Sequence, residues 1–124
     1  MIRTIILVGL GGGIGSVLRY LTSVLIAKYS HTIFPWATLV VNILGSLIIG
    51  LLIGFFSRGD LSHPDLKFLL VVGFCGGYTT FSAFSIESIN LFQSGNSALA
   101  FIYITASVLI SLTAVWVGLI VMKL

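Results

Sequence analysis

Gly73-Phe-Cys-Gly-Gly-Tyr-Thr-Thr-Phe-Ser-Ala-Phe-Ser85 places glycines and hydroxyl side chains inside a stretch otherwise apolar enough to cross a bilayer. Two adjacent glycines followed by two threonines weaken a helix through backbone entropy and β-branching. In lipid, a broken backbone survives only where it is buried in protein or lines a polar cavity, because its freed amide and carbonyl groups need partners. The stretch therefore predicts a third membrane helix broken near the bilayer centre. At such a break lies an ion or substrate path, or a tight protein interface.

Outward from this stretch, the composition is that of a membrane protein. Of 124 residues, 58% are hydrophobic and 7% charged, and the mean hydropathy is +1.21, far outside the soluble-globular range. A soluble helical bundle carries charge along every outer face, and this chain has too little to do so. Four apolar stretches, at residues 4–27, 34–56, 66–91 and 98–122, each reach the roughly 20 residues needed to span about 30 Å of hydrocarbon. They predict an all-α integral membrane protein, multi-pass in the cell inner (plasma) membrane, with a single four-span domain over residues 1–124. Arg3 ahead of an apolar run has the look of a secretory signal. That run is too long, contains Arg19, lacks a small-residue cleavage pattern and is followed by three more spans.

The connections are short. Pro35 suits the first turn of the second helix, while Ser57-Arg-Gly-Asp-Leu-Ser-His-Pro-Asp65 and Gln93-Ser-Gly-Asn96 carry turn chemistry. Short connections make sequential spans antiparallel neighbours and put both termini on one side. Arg3, Arg58, Lys67 and Lys123 on that side against Lys28 on the other lean towards cytoplasmic termini. The net charge of +3 is scattered over loops and helix ends, which excludes a nucleic-acid footprint.

Catalytic and metal chemistry find little to work with. Cys75 is the sole cysteine, so neither an intrachain disulfide nor a Cys-x-x-Cys pair exists. His31 and His63 fall in loops on opposite faces of the predicted topology, and no Ser, His and acid set assembles within the membrane. The expectation is a protein that is not an enzyme. Gly9-Leu-Gly-Gly-Gly-Ile-Gly15 has the look of a dinucleotide loop, but Ile14 or Ser16 occupies the third glycine position and no strand precedes it. Gly9 with Gly13, Gly11 with Gly15, Ser46 with Gly50, Gly50 with Gly54, and Gly73 with Gly77 instead fit the small-xxx-small pattern of close helix packing.

Polar residues inside the spans are the candidates for function. Arg19 and Glu87 each cost about 2.5–3.5 kcal/mol near a helix centre, unless they face protein or water or snorkel to the interface. Asn42 lies mid-span, too short to snorkel, and offers two N–H donors without charge. Phe81 and Phe84 share a helix face, and Tyr103, Ser107 and Ser111 recur every four residues on one stripe. Ring edges are positive, and hydroxyl and amide groups donate hydrogen bonds, so this set can hold a small anion without a permanent cation. Each has a plainer role: Phe pairs fill cores, and membrane Ser and Thr bond their own helix carbonyls.

Gly12-Gly-Ile-Gly-Ser-Val-Leu-Arg-Tyr20, Thr38-Leu-Val-Val-Asn-Ile-Leu-Gly45 and the opening stretch together resemble the signatures of the CrcB/Fluc fluoride-channel family. The resemblance spans the whole chain. Ser16, Ala37 and Ala83 depart from the family pattern, and Ala83 removes one hydroxyl from the polar track. The resemblance implies a passive, fluoride-selective exporter built as an antiparallel (dual-topology) dimer with two pores. It implies Asn42 as the pore asparagine, Phe81 and Phe84 as ring-edge fluoride ligands, and Thr79, Thr80 and Ser82 as the polar wall. Tyr103, Ser107 and Ser111 match lining positions of the fourth span. It also implies a structural Na⁺ at the dimer centre on the backbone carbonyls of Gly76 and Thr79. Arg19 and Glu87 stand as vestibule or structural charges.

An antiparallel homodimer needs both orientations from one sequence, whereas the charge count leans to one; a paired homologous subunit of opposite bias also resolves this. Two other readings remain. A small four-span multidrug transporter resembles a pattern with an acid in the first span, where this chain has Arg19 and no acid. A non-conducting scaffold uses the glycines and Asn42 for helix packing alone.

Overall fold

The computed structural model describes residues 1–59 and 63–124; residues 60–62, the middle of the predicted turn between the second and third spans, lie outside them. The chain order is α1 (Ile2–Tyr29), α2 (Trp36–Phe56), α3 (Pro64–Lys67), a π-helical segment (Phe68–Cys75), α4 (Gly76–Tyr78), α5 (Phe81–Gln93) and α6 (Ser97–Lys123). Four helical runs are long and apolar enough to cross a membrane: Ile2–Tyr29, Trp36–Phe56, Pro64–Gln93 and Ser97–Lys123. Their boundaries lie within about two residues of the sequence-based spans. Among the described residues there is no strand.

Local chemistry ends each helix. Ser30 turns extended after α1, Pro35 precedes α2, and Pro64 opens α3 at a position whose N–H has no helical partner anyway. After α5 the chain reverses on Gly95, at φ +78°. The Asn96 N–H donates to the Leu91 carbonyl at 2.9 Å, and the Gly95 N–H to Phe92 at 3.2 Å. This is the six-to-one, five-to-two pairing of a Schellman turn, which leaves few carbonyls orphaned at the membrane edge. Near the opposite edge Arg3 of α1 pairs with Asp65 of α3.

The closest packing joins alternate spans, not sequential ones. A Cβ added to Gly11 would collide with the Leu69 carbonyl, one at Gly15 with Phe74 and Tyr78, and one at Gly77 with the Gly12 carbonyl. Thus α1 lies against the π-helical segment and α4, backbone on backbone. In the same way α2 meets α6. A Cβ at Gly50 would strike Val115, one at Gly54 would lie 2.6 Å from Met122 Cβ, and one at Gly118 would lie 2.7 Å from both the Leu47 carbonyl and the Leu51 amide. The expectation of sequential neighbours is therefore refined: sequential spans still touch, but the glycine seams hold α1 to the third span and α2 to the fourth. Gly9 and Gly13, spaced like the seam glycines, face outward with nothing within 4 Å. A turn of 3.6 residues puts Gly9 and Gly13 on a face different from Gly11 and Gly15.

The core is small. Leu39, Leu91, Ala100 and Tyr103 are buried together, with Phe34, Ile43, Phe84, Phe92 and Leu99 packed around them. Most other large apolar side chains, from Ile5 and Leu10 to Leu112 and Trp116, are exposed on the subunit surface. That distribution is inverted relative to a soluble protein and suits a lipid or protein surround.

Candidate functional site

Helical geometry fails at Thr79 and Thr80, in the middle of the Pro64–Gln93 run. Thr79 has φ −81°, ψ 158° and Thr80 φ −149°, ψ 121°, extended conformations that β-branched residues adopt readily. Two side chains stabilise the break from within. Thr79 Oγ1 donates to the Cys75 carbonyl at 2.8 Å, and Thr80 Oγ1 caps α5 by accepting from the Ala83 N–H at 3.2 Å. Threonine is a favoured residue at such a cap.

Asn42 closes the break from α2. Its Oδ1 accepts from the Thr80 N–H at 2.8 Å, and its Nδ2 donates to the Thr80 carbonyl at 3.0 Å. The carboxamide thus pairs both backbone groups of one residue, which satisfies the requirement that freed backbone groups find partners in lipid. One of its two amide hydrogens remains uncommitted. Because the Thr80 N–H turns to Asn42, it does not reach the Gly76 carbonyl, as it would in a continuous helix. Gly76 lies on the surface with open space beyond it.

An open cavity of about 580 Å³ runs beside the break, lined by Asn42, Thr79, Thr80, Phe81, Phe84, Ser107 and Ser111 among others. Most of the sequence-predicted pore residues thus come together from α2, the break, α5 and α6. The Phe81 and Phe84 ring centroids are 5.6 Å apart at 46°. Phe81 is 80% exposed on the subunit, while Phe84 leans on Tyr103 at 5.3 Å. Ser107 Oγ is buried and lacks a hydrogen-bond partner within the protein, a condition that costs free energy unless something else satisfies it.

Two predicted residues stand apart from this cavity. Ser82 is exposed and its hydroxyl is 3.3 Å from that of Thr80. Tyr103 is completely buried behind Phe84, and its O–H donates to Glu87 Oε2 at 2.7 Å. Glu87 Oε1 accepts from Thr38 Oγ1, also at 2.7 Å. The carboxyl of Glu87 is therefore gripped by α2 and α6 rather than extended to an interface.

A second cavity of about 340 Å³ holds Arg19 and Glu87 together, with Ser16, Ser23, Thr38 and Thr80 in its wall. Thr80 borders both cavities, so the break separates an aromatic, hydroxyl-lined groove from a charged one. Arg19 and Glu87 form no direct ion pair. The Thr38–Glu87–Tyr103 chain was missed in the sequence. Its members are 49 and 16 residues apart, and no spacing rule links them.

The break also sorts electrostatic potential. Carbonyls at the end of a helix carry partial negative charge and favour cations, while N–H groups at a helix start carry partial positive charge and favour anions. Gly76 and Thr79 sit on the first kind of terminus, and Phe81 and Ser82 on the second.

The family described as CrcB-like protein, Camphor Resistance (CrcB), matches residues 6–119. A protein of Flavobacterium psychrophilum named Fluoride-specific ion channel FluC is 54% identical over 121 residues, 98% of each chain. Relatives of the same name are 43% identical in Azobacteroides pseudotrichonymphae, over 95% of this chain and 94% of that one, and 44% identical in Rhizobium meliloti, over 96% and 95%.

Proposed function

This chain belongs to the CrcB family, and from that premise we propose that it is a fluoride-selective channel that lets F⁻ leave the cytoplasm passively. It is a multi-pass membrane protein, acting in the plasma membrane. The observation that carries the reading is the groove at the broken third span. It offers an uncommitted amide hydrogen of Asn42, an unpartnered hydroxyl on Ser107 and two phenylalanine rings, without a lysine or arginine in its wall. A small, strongly hydrated anion needs replacement donors as it sheds water, yet a permanent cation would hold it too tightly to release.

Within this reading each residue has a task. Phe81 and Phe84 present positive ring edges, Asn42 donates across from them, and Thr79 and Thr80 line the wall, with Ser82 beside Thr80 just outside it. Ser107 and Ser111 continue the donors along α6. Tyr103 acts from behind, through Phe84 and Glu87. Arg19 and Glu87 belong to the polar cavity beyond Thr80, a vestibule in which Arg19 draws anions inward.

The working unit is an antiparallel dimer with two pores, formed by two copies or by a paired homologous subunit. The 80% exposure of Phe81 supports it, because a lipid-facing ring cannot wall a polar path without a second subunit opposite. A structural Na⁺ fits the Gly76 and Thr79 carbonyls: these are hard oxygens, and the Gly76 carbonyl has lost its bond from Thr80. Bound there, Na⁺ would supply fixed positive potential between the subunits.

Fluoride release from loaded liposomes, followed with a fluoride electrode, tests the channel reading. Efflux that needs no proton gradient is expected. Proton-coupled cation efflux would make the protein a small multidrug transporter, and neither flux would leave a scaffold.

A further inference from the structure

Tyr78 is the last helical residue before the break, and its side chain turns away from the groove towards α1. Its hydroxyl lies 3.2 Å from Thr22 Oγ1. Thr22 spends its own proton on the Leu18 carbonyl at 2.8 Å, so Tyr78 is the donor and Thr22 the acceptor. The ring is buried and stacks on Phe74 at 5.8 Å with 7° between planes. Tyr78 Cδ1 also lies 3.3 Å from where a Cβ on Gly45 would stand, which places the ring between α1 and α2. The neighbouring Gly77 carbonyl accepts from Ser16 Oγ at 3.4 Å. The end of the half-helix is thus tied to α1, while Thr80, two residues on, is tied to Asn42 of α2.

We propose that the Tyr78–Thr22 hydrogen bond is a positioning strut for the pore. It fixes the α1 side of the break as Asn42 fixes the α2 side, so that the extended Thr79–Thr80 pair and the Phe81 ring that follows are held at one setting. Two extended residues between two helices have soft dihedrals at each Cα. The glycine seam holds the Tyr78 backbone against α1, but the tilt of that end is left to its side-chain ties, and without the hydroxyl bond it shifts and carries the Thr79 carbonyl and hydroxyl with it. Tyr78 touches no ion; it acts through Thr79 and Phe81. The inference rests on the channel reading.

The test is fluoride current per channel, recorded from single channels of the reconstituted full-length protein, a quantity that does not depend on how much protein assembles. Tyr78→Phe keeps the ring and its stack, and leaves no unpaired donor. Current per channel is expected to fall about fivefold, the factor a net hydrogen bond is typically worth. Thr22→Ser retains an acceptor and is expected to conduct as wild type. Thr22→Val, which leaves the Tyr78 hydroxyl without its acceptor, is expected to lose at least as much current, and Thr22→Val combined with Tyr78→Phe to match Tyr78→Phe. Should Tyr78→Phe assemble too poorly to record, Thr22→Val is read by the same criterion. Wild-type current per channel in Tyr78→Phe, with or without a change in protein yield, overturns the strut. A return to wild-type current in the double variant does so as well. A wild-type protein that passes no fluoride removes the channel reading instead, so the two failures are distinct.

Discussion

The Tyr103 hydroxyl donates to the Glu87 carboxyl at 2.7 Å although the two residues belong to different spans and Tyr103 has no exposed surface. The bond ties α5 to α6 directly behind Phe84. Removing the hydroxyl with Tyr103→Phe leaves the ring packing intact. It should lower subunit stability by about 1 kcal/mol, the typical net worth of a hydrogen bond. Thermal denaturation of the purified protein in detergent measures this, and an unchanged midpoint would mean that Thr38 alone holds Glu87.

Asn42→Asp should reduce fluoride flux at least about tenfold, the change that follows from about 1.4 kcal/mol of lost binding or added barrier. A carboxylate oxygen would then face the Thr80 carbonyl, where Nδ2 now donates at 3.0 Å, and would repel an anion in the groove. Light scattering should report the same assembly as for the wild type. Normal flux from that assembly would take Asn42 out of the pathway.

Phe81→Ile and Phe84→Ile should both abolish most conduction, since isoleucine retains apolar bulk without a positive ring edge. Their stabilities should diverge. Phe84 loses its contact with Tyr103, at 5.3 Å, worth about 0.5–1.5 kcal/mol for an aromatic pair. Phe81 is exposed on the subunit and loses little. Wild-type flux in either variant would reduce that ring to packing.

Gly15→Ala should destabilise the subunit by about 3 kcal/mol or more, the upper range for overpacking, because its Cβ would meet Phe74 and Tyr78 backbone that cannot move aside. Gly13→Ala, on an open face, should leave the subunit's helix content and melting unchanged. Equal behaviour of the two would contradict the α1 seam.

The four spans were legible because twenty-residue apolar runs admit little else in a bilayer. The helix break could be read from Gly76-Gly-Tyr-Thr-Thr80, where local chemistry disfavours helix over several consecutive residues. Asn42 stood out by its cost in lipid, but its double grip on Thr80 did not, since that needs the geometry of α2 against the break. The π-helical segment over Phe68–Cys75 left no trace in the sequence: its residues are ordinary helix-compatible apolar ones, and the wider turn comes from tertiary packing. For the same reason glycine spacing named Gly9 with Gly13 as readily as Gly11 with Gly15, although only the second pair faces a helix within the subunit.

The alternation of the glycine seams sets an order of events during synthesis. Gly11 awaits Leu69 and Gly73, Gly15 awaits Phe74 and Tyr78, and Gly50 awaits Val115, so neither of the first two spans meets its tight partner as it leaves the ribosome. At about 5–20 residues per second, several seconds separate the insertion of α1 from the arrival of the segment that fits it. The nascent hairpin of α1 and α2 waits in lipid with both small-residue grooves open. A translation pause after α2 prolongs that exposure, whereas a pause after α5 leaves only the α2 groove unfilled. Codon usage or chaperone contacts that hasten residues 57–80 would shorten the vulnerable interval most.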